Sequence, residues 1–327
     1  MRAVVAREAG GPEVLDFIEL DDLRPGPGQL LVRVAAAGVN FIDTYRRSGV
    51  YPIAFPHTVG TEGAGEVVGL GDDVSGFAVG DLVSWDNAAG SYAEQALVPA
   101  ANAVRLPEGT DLVTAAALPL QGMTAHYLVT STFEVGPGHD VLLHAGAGGV
   151  GLLLTQLAVA RGARVITTVG SAAKAELSRA AGATHVIDYS GLGDIATELP
   201  PLVKDLTGGA GVHVVYDGVG KSTFDASLAS LRRRGMLVLF GGASGQVPPF
   251  DIQRLNAGGS LFLTRPTLAH HLATREELEW RMSDLLAAVA DGSLKLRVGA
   301  AFPLARAADA HRALEGRQTT GKVVLLP

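Results

Sequence analysis

Gly146-Ala147-Gly148-Gly149-Val150-Gly151 is where residue type and spacing first point to a chemistry. The run has the Gly-x-Gly-x-x-Gly form. An apolar strand predicted over Val141–His144 precedes it, and an apolar helix predicted over Val150–Ala160 follows at once. In that setting the first glycine permits a tight turn, the second lets a pyrophosphate approach the backbone, and the third lets helix and strand pack closely. The free N–H groups and dipole of the helix start then face phosphate. In a chain with 42 glycines the bare pattern is weak evidence. Its place between strand and helix is what predicts a dinucleotide site.

The end of the next strand selects between dinucleotides. It reads Thr167-Thr168-Val169-Gly170-Ser171, without the Asp or Glu that holds a ribose 2′-hydroxyl in NAD sites. Lys174 follows, and Tyr189 lies further on. A lysine attracts a 2′-phosphate that a carboxylate would repel, so the pattern favours NADPH over NADH.

Other chemistries find little support. The nine histidines are scattered, and none stands in a metal-ligand spacing such as His-Glu-x-x-His. His144 reads as a packed core residue, and His270-His271 as a solvated pair. The chain has no cysteine, which removes disulfides, thiolate nucleophiles and cysteine-rich zinc sites. No Gly-x-Ser-x-Gly elbow is present.

The elements that must position these residues change character along the chain. Short strands with Gly and Pro turns, such as Leu30–Ala36, Gly65–Val68 and Leu82–Trp85, predict a compact β-rich unit in the first third. Near residue 110 helical patterns begin. From Val141 onward, apolar strands alternate with helices: Arg164–Val169, Val212–Tyr216 and Met236–Phe240 are strands, and Lys174–Ala181 is a helix stopped by Gly182. That alternation predicts a parallel sheet covered on both faces. The tail, with a helix over Arg275–Ala290 and a strand over Lys322–Leu326, breaks the rhythm and is expected to return to the first unit.

A hydrophobic fraction of 47% and a net charge of −7 fit a globular protein with no general attraction to nucleic acid or anionic lipid. Met1–Arg7 runs straight into an apolar strand rather than a signal peptide. The most apolar helix is closed by Arg161, short of the roughly 20 residues that span a bilayer. A cytoplasmic protein is expected.

Many separate segments together carry a family resemblance. They are Ala37–Tyr45, Ser48–Pro52, Gly60–Val67, Val79–Val83, Gly122–Ala125, Ala145–Gly151, Val215–Asp217, Phe240–Gly245 and Leu263–Pro266. Over essentially its whole length the sequence resembles the zinc-lacking quinone oxidoreductases of the medium-chain dehydrogenase/reductase superfamily, the ζ-crystallin-like group. The resemblance implies an α/β protein with a GroES-like β-rich catalytic domain and a Rossmann doubly wound parallel-sheet domain. Catalytic parts are expected at 1–123 and 265–327, with the Rossmann domain at 124–264. It also implies a homodimer or a dimer-based oligomer. Zinc-dependent relatives carry a cysteine near Asn40 and a histidine near Thr61, and this chain has neither.

By the same resemblance Lys174 and Tyr189 contact the 2′-phosphate, with Gly170 and Ser171 lining that spot. Thr124 and the Gly146–Gly151 backbone, Ala147 and Gly149 included, surround the phosphates and ribose, and Arg317 lies near the cofactor. Phe240, Gly241, Thr264, Arg265 and Pro266 form the nicotinamide side. Asn40 and Tyr45 line the nicotinamide and substrate pocket. Gly218 stands where the family often has serine or a similar polar residue, so a cofactor hydrogen bond from this position is not expected.

The resemblance implies hydride transfer from NADPH to a quinone or similar small electrophile, without metal. Asn40 is placed to hydrogen-bond a carbonyl oxygen where charge develops. Tyr51 either walls the pocket or donates a proton. The second role would permit reduction of activated C=C bonds, the alternative activity. A side chain with a reference pKa of about 10 is a slow acid at neutral pH, which favours the wall for quinones. An RNA-binding role lacks a basic, aromatic-rich stretch. A zinc-free polyol dehydrogenase lacks a group to activate the alcohol.

Overall fold

A computed structural model describes all 327 residues. They form two compact units: Met1–Met123 with Thr274–Ala287 and Leu296–Pro327, and Thr124–Ala273 with Ala288–Lys295.

In chain order the first unit begins with strands β1 (Arg2–Ala6), β2 (Leu15–Glu19) and β3 (Gln29–Val39), then helix α1 (Phe41–Arg47). Strands β4 (His57–Thr58), β5 (Glu62–Leu70), β6 (Leu82–Trp85), β7 (Gln95–Pro99) and β8 (Val104–Arg105) follow. Helices α2 (Leu112–Ala117) and α3 (Pro119–Tyr127) lead out of it. Asp111 caps α2, accepting from the N–H groups of Val113 and Thr114.

The second unit contains β9 (Asp140–Leu143), α4 (Gly149–Ala160), β10 (Arg164–Val169), α5 (Ala172–Ala180) and β11 (His185–Asp188). It continues with α6 (Ile195–Leu206), β12 (Val212–Asp217), α7 (Phe224–Ala229), β13 (Leu231–Leu239), α8 (Gln253–Ala257) and β14 (Phe262–Thr264). Then α9 (Arg275–Ala290), β15 (Val298–Pro303), α10 (Ala307–Glu315) and β16 (Lys322–Leu326) complete the chain.

The six strands of the second unit are all parallel, in the order β11-β10-β9-β12-β13-β14. The sequence runs outward from β9 in both directions. The order therefore reverses at β9, where a doubly wound sheet binds dinucleotides at its carboxyl ends. Leu142, Ile166, Val215 and Leu237 are buried at the sheet centre, as expected of strands covered on both faces. Buried His144 bridges Thr168 and Ser227 at 2.9 Å each, and Ser227 donates to Asp217. It is the packed core residue its apolar strand predicts. The expected solvation of the His270-His271 pair holds only in part: His270 is exposed, but the ring of His271 stacks on Tyr127 at 4.2 Å.

The first unit is built on a seven-stranded sheet that includes β15-β16-β3-β5-β6-β8, with β7 also paired to β3. The tail strand β16 runs antiparallel to β3, Val323 facing Val39. Its core gathers Val32, Val67, Trp85, Tyr92 and Val323.

Candidate active site

The carboxyl ends of the second unit's strands carry most of the predicted cofactor residues. After β9 the chain turns at Ala145, whose φ is +57°, and the Gly146 N–H donates to the Thr168 carbonyl. Helix α4 then starts from Gly148, so the N–H groups of its first turn have no partner within the helix. The glycines differ in what surrounds them. A Cβ at Gly151 would lie 2.3 Å from the Ala145 carbonyl oxygen, and one at Gly146 would lie 2.6 Å from the Thr167 side chain. At Gly148 the only neighbour is the Ala145 oxygen at 3.2 Å. Gly146 and Gly151 are thus required by packing, and Gly148 leaves the open approach that a pyrophosphate needs. This cradle fits a dinucleotide.

The next two strand ends bring the predicted 2′-phosphate residues together. Strands β10 and β11 pair in parallel with Val169 opposite Asp188, so Gly170 and Tyr189 are neighbours. The Tyr189 hydroxyl lies only 2.8 Å from where a Gly170 Cβ would sit. Ser171 caps α5 by accepting from the Lys174 N–H, which sets Lys174 in the first turn beside them. Asp188, which precedes Tyr189, turns its carboxylate to the Ser190 N–H.

Phe240 and Gly241 follow β13, and Arg265 and Pro266 follow β14 at Thr264, on the same edge. Gly218 is explained here. A Cβ at 218 would fall 2.8 Å from the Phe240 ring, so the Phe240 side chain occupies the room a serine would need. Thr124 is buried on α3, and Arg317 follows α10 with φ +56°.

In the first unit a buried polar group surrounds Asn40. Lys322 Nζ donates to Asn40 Oδ1 at 2.8 Å, and Asn40 Nδ2 donates to Glu62 Oε2 at 2.7 Å. Lys322 also forms an ion pair with Glu62, whose Oε1 accepts the Leu120 N–H at 2.7 Å. Lysine can only donate and a carboxylate only accept, so the two ions fix which way the amide faces. One amide N–H of Asn40 remains for a ligand. Glu62 and Lys322 are 0% and 1% exposed. Gly38 makes room for them, since a Cβ there would meet Glu62 Oε2 at 2.1 Å and Lys322 Cε at 2.9 Å.

A second buried chain holds α1 below Asn40. Asp43 Oδ2 accepts from the Asn40 backbone N–H and the Tyr92 hydroxyl. Arg47 donates to His311 Nδ1 and grips Glu315 with two bonds. Since arginine cannot accept, His311 carries its proton on Nε2, which faces the Tyr92 oxygen at 3.3 Å. Burial, aided by the Arg47 charge, pushes His311 down to about 3, so it is neutral. Burial pushes the Asp43 carboxyl up to about 6, against the hydrogen bonds it accepts. The rings of Tyr45 and Tyr51 meet edge to face at 5.4 Å, and the Tyr51 N–H donates to the Tyr45 carbonyl.

Sequence reasoning missed Glu62, Lys322 and Asp43 as members of the site. A usable signal was present. Glu62 opens Gly63-Ala64-Gly65, and Lys322 opens Val323-Val324-Leu325. Opposite charges that lead such apolar stretches must pair if both are buried. No cluster of three or more His, Cys, Asp or Glu side chains is arranged to hold a metal.

Residues 26–108 match the alcohol dehydrogenase GroES-like domain, and residues 149–288 match the zinc-binding dehydrogenase family. The chain is 43% identical to a quinone oxidoreductase of Pseudomonas aeruginosa over 320 residues, covering 97% of each. It is 42% identical to a 2-haloacrylate reductase of Burkholderia, covering 99% of this chain and 98% of that one. A mycobacterial protein solved in complex with NADPH is 50% identical, with a TM-score of 0.97 and full coverage of both chains. The chain belongs to the zinc-independent quinone oxidoreductase family of medium-chain dehydrogenases/reductases.

Proposed function

We propose that the protein is an NADPH-dependent quinone reductase that works without a metal. The observation that carries the reading is the grouping of Gly170, Ser171, Lys174 and Tyr189 at the end of a second strand that bears no acid. Quinone oxidoreductases among its relatives and the NADPH complex of the mycobacterial protein support it. Bound NADPH supplies a hydride, and the protein supplies position and electrostatics. Asn40, its amide fixed by Glu62 and Lys322, directs its free N–H at the acceptor oxygen on which charge develops. Tyr45 and Tyr51 form an aromatic wall. Thr124, Phe240, Gly241, Thr264, Arg265, Pro266 and Arg317 complete the cofactor contacts.

Two further expectations belong to this reading. The active species is a homodimer, and it works in the cytoplasm, in keeping with a chain that has no cysteine and no helix long and apolar enough to cross a membrane. A second activity, reduction of C=C bonds conjugated to a carbonyl or carboxyl group, is favoured by the 42% identity to the 2-haloacrylate reductase.

Titration with NADPH and NADH, followed by oxidation of each with 1,4-benzoquinone, tests the reading. Tight NADPH binding with quinone-dependent oxidation is expected. Lys174→Ala should weaken NADPH by about 10- to 100-fold, as for loss of one charge-assisted contact, and leave NADH nearly unchanged. Equal affinity of the parent for both cofactors would remove the 2′-phosphate argument.

A further inference from the structure

Strand register sets four polar residues side by side in the first unit. Val323 faces Val39 and Gly38 faces Glu62, so Lys322 comes opposite Asn40, with Glu62 on the next strand. Gly63 faces Trp85, and the Ala88 N–H donates to the Thr61 carbonyl. The chain from Trp85 to Ala88 therefore runs along Glu62 and sets Asp86 beside it. Lys322, Asn40, Glu62 and Asp86 form a row across β16, β3, β5 and the end of β6.

The members of the row differ in what they are free to do. Glu62 is buried and paired with Lys322, and both of its oxygens are engaged, Oε2 by Lys322 and Asn40 and Oε1 by the Leu120 N–H. Asp86 is half-buried, and the one hydrogen bond it accepts comes from its own backbone N–H. Glu62 is the charged group that faces it, with Lys322 behind Glu62. Helix α2, packed on β6, carries no charge. On the β8 side Asn102 donates to the Asn87 carbonyl. Nothing cationic pairs with Asp86.

We propose that Asp86 is the proton donor of the reaction, delivering to the reduced acceptor the proton that completes its reduction. The inference rests on the reductase reading above. With a quinone, hydride arrival gives a hydroquinone monoanion. The Asp86 O–H bond breaks, an acceptor O–H bond forms, and the resulting carboxylate is reprotonated from water. With an activated alkene, hydride adds to one carbon and the Asp86 proton goes to the other. Burial, and then the Glu62 charge, push the Asp86 carboxyl up to about 7. It is therefore partly protonated at neutral pH, where a general acid works best. Asp43 is also raised, but it is 1% exposed and tied to Asn40 and Tyr92.

Asp86→Asn, which keeps the shape and removes the acid, tests the proposal, with NADPH affinity as the check on folding. In the parent, kcat/KM for an activated alkene should fall as pH rises through about 7. The variant should lose that limb and about 100-fold or more of the rate at pH 6. The quinone rate should fall less, because water can protonate a hydroquinone anion. Independently of turnover, the infrared band of a protonated carboxyl that titrates near pH 7 should be present in the parent and missing in the variant. Asp86→Glu should restore part of both signals. A pH profile and alkene rate shared by parent and variant, or no difference in the carboxyl band, would overturn the assignment while leaving the reductase reading intact. A parent that binds NADPH but reduces neither acceptor would overturn both.

Discussion

Lys322 and Glu62 illustrate how a buried ion pair differs from a surface one. Both are withdrawn from water, so removing either leaves the other charge uncompensated. Lys322→Met is expected to cost about 3–5 kcal/mol, and Glu62→Gln added to it should recover part of the loss. Denaturant midpoints of the two variants measure this, and a double variant no better than the single one would contradict it. Asp43 makes a pH-dependent prediction. Its pKa in the fold, about 6, lies above the ordinary 3.8. Its contribution to stability is therefore full below about 3.8 and is lost as pH rises through about 6. Asp43→Asn does not titrate there. Between pH 4 and pH 7 stability should shift in its favour, relative to the parent, by about 2 kcal/mol. Unfolding curves at the two pH values that keep a constant difference would contradict this. None of these roles stood out in the sequence, because Lys322 lies 260 residues from Glu62 and 282 from Asn40. Only strand register brings them together, and a one-residue slip would turn each to the other face.

At the scale of elements, the glycine loop was legible because its signal is local. A strand of four residues, a turn and a twelve-residue apolar helix follow one another without interruption. The same locality gave the Gly182 helix stop, whose φ is +100°. Helix α6 was not legible. Pro200 and Pro201 stand inside it and remove two backbone donors. It forms because Asp194 caps its start and Leu199, Pro200 and Val203 are buried, so packing overrides propensity. The loop's glycines make separable predictions. Gly148 has a φ of −75° that alanine adopts freely, and its Cβ would meet only the Ala145 oxygen at 3.2 Å. Gly148→Ala should therefore keep the thermal midpoint near that of the parent while weakening NADPH at least about tenfold, by closing the pyrophosphate's approach. Gly151→Ala, 2.3 Å from the same oxygen, should lower both. Calorimetry with NADPH titration separates the cases. A Gly148→Ala protein that binds normally would take the phosphate away from this loop.

At the scale of the whole molecule, the parallel sheet ends in an open edge. Strand β14 bonds to β13 on one side only. Phe262 is 55% exposed, Leu263 36%, and Ile252, just ahead of α8, 70%. A strand with free N–H and C=O groups and large apolar side chains is a template for pairing, and proteins normally blunt such edges with charge or proline. A second copy of the chain would satisfy it most simply. Two β14 strands set antiparallel about a two-fold axis would complete each other's hydrogen bonds and bury both Phe262 rings with the same patch on each copy. The expected species in sedimentation is therefore a dimer, with a thermal midpoint that rises with protein concentration. Phe262→Lys puts like charges close together across the axis, a juxtaposition that costs several kcal/mol, so dissociation should become at least about 100-fold easier. Because Lys174, Tyr189 and the Gly146–Gly151 loop lie at the carboxyl ends of β9, β10 and β11, at the other side of the sheet from β14, the variant should still bind NADPH. A parent that sediments as a monomer at all concentrations would refute the pairing. A variant that stays dimeric would move the interface away from β14.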